Sequence, residues 1–138
     1  MLETTLNSVG NCRVDYTHPS LGGGFGPGFK VAFGADLVGN NYHGNNTPAP
    51  SDDPMDCQGH GTHVAGIIGA ENDPYVLGVA PAATLGIYKV FGCSDDRVAS
   101  DILISAFTMA HNAGADIITA SIAFPNGWPE EFVDPFQV

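Results

Sequence analysis

The stretch Asp56-Cys57-Gln58-Gly59-His60-Gly61-Thr62-His63-Val64-Ala65-Gly66-Ile67-Ile68-Gly69-Ala70 constrains this chain more than any other. Glycines on either side of His60 remove side chains that would crowd an approaching molecule, and Thr62, Val64, Ile67 and Ile68 begin an apolar-periodic helix. His60 is therefore expected at a helix start. An imidazole on the rim of a rigid helix can serve as a general base toward a nucleophile. The H-x-x-H spacing alone says little, because such pairs are mostly ordinary surface or core histidines.

The remaining elements follow from periodicity. Residues 1–10 show no buried strand, since Glu3, Thr4, Thr5, Asn7 and Ser8 interrupt the apolar positions. Residues 29–38 alternate well enough for a strand, and a polar loop follows through Asp53. Residues 83–91 form a second strand rich in β-formers. Ser94, Asp95 and Asp96 supply capping residues for a helix whose apolar face is Val98, Ile102, Ala106 and Ala110, with Leu103 and Phe107 beside them; Gly114 ends it. Residues 115–123 then read as a short, mostly buried strand, so that strand, helix and strand make a parallel crossover. The class is α/β.

Composition excludes some functions. Four Lys plus Arg against 15 Asp plus Glu give a formal charge of -11, which disfavours nucleic acid and anionic membrane surfaces as partners. The 138 residues suffice for one modest domain. No apolar run is long enough to span a bilayer, and residues 1–10 lack the basic start and hydrophobic centre of a signal peptide. Gly22 to Gly28 is a bland glycine-rich turn, without the Lys-Ser/Thr of a phosphate loop. Asp52, Asp53 and Asp56 do not match a calcium loop and read as a solvated acidic segment. Asn45-Asn46-Thr47 is an N-glycosylation triplet, meaningful only in a secreted chain. Three cysteines, Cys12, Cys57 and Cys93, leave one pair and one odd thiol, and no cofactor motif is present.

The His60 run, H-G-T-H-V-A-G with small apolar residues after it, resembles the histidine motif of the subtilisin-like serine proteases. Val14-Asp15-Tyr16-Thr17-His18-Pro19-Ser20-Leu21-Gly22-Gly23 is similar to the family's aspartate segment, Gly78-Val79-Ala80-Pro81 and the Tyr88-Lys89-Val90 strand continue the likeness, and it extends to about Trp128. The resemblance implies a partial subtilisin-like three-layer fold, a parallel sheet flanked by helices, with residues 1–13 a divergent N-terminal segment and residues 14–138 the N-terminal half of a peptidase domain. It implies polypeptide substrates and an extracellular setting.

In that frame His60 is the catalytic base. Asn11 stands where the family has its aspartate, with Cys12-Arg13 replacing Thr-Gly. A neutral asparagine cannot supply the charge that stabilises an imidazolium, and in serine-protease triads that loss lowers turnover about ten-thousand-fold or more. Ser121, Ile122 and Ala123 fall on the edge of the substrate cleft, although Thr119 and Ala123 replace the usual asparagine and glycine. The family's placement of the His60 loop beside the end of the second strand implies a Cys57–Cys93 disulfide. No serine lies in a G-T-S-x-A motif. The sequence thus reads as a fragment or degenerate member of these endopeptidases, inactive alone. Two alternatives remain: a non-catalytic remnant that binds peptides by strand addition along residues 117–123, and a metal site of Cys57, His60, His63 and Cys93.

Overall fold

The computed structural model describes residues 13–94 and 97–122. Two strands, β1 (Val31–Asp36) and β2 (Leu85–Lys89), pair in parallel, with Val31 opposite Leu85 and Asp36 opposite Lys89. Parallel strands need a crossover, and helix α1 (His60–Gly69) lies on it. Helix α2 (Ser100–Asn112) follows β2.

All five β2 residues are buried, as expected of a strand covered on both faces. One core joins Val14, Leu21, Val31, Ala65, Leu85 and Ile87, and so lies between α1 and the sheet. The other joins Tyr88, Val90 and Phe91 to Leu103, Ala106 and Ala110 of α2. Alternate β2 side chains therefore feed opposite cores, and the result is helix, sheet, helix in three layers. At Gly34 the two strands approach so closely that an added Cβ would lie 1.8 Å from the Ile87 carbonyl oxygen, and its φ of +144° also favours glycine. Among the described residues no helix is long and apolar enough to cross a membrane.

Two sequence expectations require correction. Helix α2 starts at Ser100 rather than near Ser94: Ala99 is its N-cap, and the Tyr42 hydroxyl accepts the Ala99 N–H at 3.3 Å. Asp101 lies in the first turn, its carboxylate accepting the Ile102 N–H at 2.9 Å; Asp95 and Asp96 lie outside the described residues. The end fits the sequence better. Gly114, with φ +81°, closes α2 as its N–H bonds to His111 O while Ala115 N–H reaches Ala110 O.

The third strand is absent over residues 115–122. Ala115, Ile118 and Ile122 pack against the α2 core, but among the described residues the segment joins no ladder, and Ile117 is 49% exposed. Its apolar pattern secures contact with the core without securing a hydrogen-bonding neighbour. The crossover that does form is β1, α1, β2, not the one expected after β2.

Candidate active site

His60 is the first residue of α1 and is exposed. Gly59 before it has φ +93°, a left-handed conformation that glycine adopts without strain, so the chain turns sharply and enters the helix at His60. Asp56 holds this turn. Its Oδ1 accepts the N–H groups of Gln58 at 2.8 Å and Gly59 at 2.9 Å, and its Oδ2 accepts the Thr62 N–H at 3.1 Å and the Thr62 hydroxyl. The Thr62 oxygen in turn accepts the Asp15 N–H at 2.9 Å. One carboxylate therefore binds donors on both sides of His60, and through Thr62 it reaches the segment that follows position 11.

A second attachment comes from β2. Cys57 and Cys93 are joined by a disulfide with Cα atoms 5.5 Å apart, and Gln58 Nε2 donates to Cys93 O at 2.7 Å. Cys93 is itself fixed, because its N–H bonds to Asn40 O at 2.7 Å. The Asn40 side chain accepts from Lys89 Nζ, which also forms a 2.6 Å ion pair with Asp36. The His60 turn is thus tied to the carboxyl ends of both strands.

Burial alone would raise the Asp56 pKa, but hydrogen bonds from the Thr62 hydroxyl and from the N–H groups of Gln58, Gly59 and Thr62 outweigh it and hold the carboxyl below its ordinary value. Its stabilising contribution is present above the unfolded-state value, about 3.9, and is lost as pH falls through the lower folded value. The urea midpoint should therefore drop on acidification below about pH 4, and Asp56→Asn should make that drop shallower. Asp73 is likewise lowered, by the Ser20 hydroxyl and the N–H groups of Tyr75 and Val76, so part of the drop should persist. An identical pH profile in the variant would contradict this assignment.

The other site residues are distributed unevenly. Asn11 and Ala123 lie outside the described residues. Ser121 is exposed and Ile122 half-buried, both on the segment after α2. The Asp15 carboxylate accepts from the N–H and hydroxyl of Thr17 at 3.0 and 2.5 Å. His63 lines a cleft of about 720 Å³ with Asp15, His18 and Asp73, and His60 is not among its lining residues. The metal alternative is overturned. Cys57 and Cys93 are consumed in the disulfide, and among the described residues no group of three or more His, Cys, Asp or Glu could hold an ion.

Sequence reasoning missed Asp56 and Thr62. Asp56 was grouped with a solvated acidic segment, yet an aspartate three residues before a glycine is a turn-forming signal that could have singled it out. Arg13, read only as a departure from the family, is 4% exposed and donates from Nε to Phe91 O at 3.3 Å.

A parallel sheet between two helices, with an exposed histidine opening the first helix, is the arrangement of a subtilisin-like serine protease fold. The model of the subtilase family matches residues 10–134, and the chain belongs to that family. The thermophilic serine proteinase of Bacillus sp. (strain AK1) is 38% identical over 111 residues, 79% of this chain and 23% of the relative. The minor extracellular protease Vpr of Bacillus subtilis (strain 168) is 37% identical over 109 residues, 79% of this chain and 12% of Vpr. The crystal structure of the nisin leader peptidase NisP from Lactococcus lactis superposes with TM-score 0.65 at 30% identity, over 85% of this chain and 31% of that one. The chain thus spans less than a third of each of these proteins.

Proposed function

We propose that this chain supplies the base-bearing half of a serine endopeptidase domain and does not hydrolyse peptides by itself. The observation that supports this is His60 at the exposed start of α1, with Asp56 bonded to donors on both sides of it. In the complete reaction a serine Oγ attacks the peptide carbonyl, His60 takes the serine proton, and it then returns a proton to the leaving amine. By the family resemblance Asn11 stands at the aspartate position, and a neutral amide supplies no charge to an imidazolium. No serine among these 138 residues lies in a G-T-S-x-A motif, and this is why the reading excludes turnover by these residues alone. In this reading Ser121 and Ile122, on the segment after α2, belong to one edge of the polypeptide cleft, as the family resemblance implies. The disulfide favours an oxidising compartment, in line with an extracellular location, where Asn45, exposed in its loop, is open to glycosylation.

The test places residues 13–122 in a complete subtilase that keeps its own aspartate and serine. The chimera should cleave a chromogenic peptide. Asparagine at position 11 should cost about ten-thousand-fold, and His60→Ala about a million-fold, magnitudes carried over from serine-protease triads and subtilisin itself. A folded chimera that cleaves no peptide, or whose His60→Ala variant cleaves equally well, defeats the reading. A second reading, peptide capture without cleavage, draws on residues 115–122, which lie against the core yet join no ladder among the described residues. Saturable binding of a labelled peptide by the 138-residue chain, lost on replacing Ile117 with proline, would favour it.

A further inference from the structure

The four donors that converge on Asp56 have an order that matters. Gln58 and Gly59 precede His60, whereas the Thr62 N–H and hydroxyl follow it. A carboxylate that bonds only before the histidine would cap the turn and leave the helix start free to pivot. Bonding on both sides fixes the backbone of His60 from two directions. The Asp15 N–H on Thr62 adds a third fixed point, four residues beyond position 11. A catalytic base is useful only if its distance from both the acid and the nucleophile is set to within a fraction of an ångström.

We infer that Asp56 and Thr62 are positioning residues, whose shared hydrogen bonds set where His60 stands relative to Asp15 and the residues that follow it. This rests on reading His60 as the base. Neither residue touches the reacting atoms in the proposed chemistry. Thr62 matters through its hydroxyl, which donates to Asp56 while accepting from Asp15, so serine can replace it and valine cannot. Asparagine at position 56 presents one oxygen and one amide nitrogen, so it can hold one pair of donors but not both. The charged and titratable groups bordering the clefts beside Asp56 are Asp15, His18, His63 and Asp73 on one side and Asp36 and Asp53 on the other. None of them is substituted in these variants.

The test uses the 138-residue chain, labelled for NMR, with the ring signals of each histidine and the exchange rate of the Asp15 amide as readouts. In the parent and in Thr62→Ser, His60 should give one narrow set of ring signals and a protected Asp15 amide. Thr62→Val should speed Asp15 exchange about tenfold, the loss of one hydrogen bond, and should split or broaden the His60 signals. Asp56→Asn should do the same to His60. His111, on α2 and outside both clefts beside Asp56, should be unchanged throughout, which a general loosening of the fold would not allow. A single, unmoved His60 signal in both Asp56→Asn and Thr62→Val overturns the inference. So does unfolding of both, since these residues would then hold the fold rather than the imidazole. A chimera that fails to cleave, beside the expected NMR result, would sink only the catalytic reading.

Discussion

Replacing Asp36 with alanine should destabilise the chain by about 3–5 kcal/mol, the cost of leaving one member of a buried ion pair without its partner. Lys89 is 1% exposed and its ammonium lies 2.6 Å from Asp36 Oδ2. Asp36 also accepts the N–H groups of Val38 at 2.9 Å and Gly39 at 2.7 Å, so the substitution strands two backbone donors as well. Single domains are stable by roughly 5–15 kcal/mol, so the loss would consume much of the margin. Removing both charges in Asp36→Ala/Lys89→Met should cost less than the sum of the single changes, because no unpaired ion remains. Urea denaturation of the four proteins measures both quantities. Strict additivity would mean that the pair contributes nothing as a pair.

The second large effect concerns the disulfide. Cys57 and Cys93 are 36 residues apart, and closing a loop of that size restricts the unfolded chain by about 4 kcal/mol in the chain-entropy estimate. Cys57→Ser/Cys93→Ser should therefore lower stability by roughly that amount. The damage should not be uniform. Gln58, Gly59 and His60 lose their covalent tie to the end of β2, while α2 keeps its own core, so hydrogen exchange should accelerate most around residues 57–62. Acceleration around residues 57–62 no greater than in α2 would show that the bridge acts through the unfolded chain alone and does not hold this turn.

The parts of the fold legible in the sequence were those set by local pattern. Residues 29–38 and 83–91 announced β1 and β2 by composition, the structure trimming each end, and the periodicity after His60 announced α1. The apolar face of α2 was legible in part: Ala106 and Ala110 are buried and Ile102 is half-buried, but Leu103, expected only beside that face, is buried with them and Val98 lies before the helix. The start of α2 was not legible, since the group that receives the Ala99 N–H is the hydroxyl of Tyr42, 57 residues earlier. The segment at residues 115–122 failed for a related reason: a β-rich composition states a preference, and a strand also requires a neighbour. In the site, His60 carried a motif, whereas Asp56 and Thr62 became visible only once the turn between them was folded. The Asp36–Lys89 pair lies 53 residues apart and had no sequence signal.

That separation also governs how the sheet can assemble. No backbone bond between β1 and β2 can form until the whole span holding α1 has been brought round, so the entropy of ordering it is spent before the ladder returns anything. Recovery of the native state from denaturant is therefore limited by this long-range search, however quickly the individual helices appear.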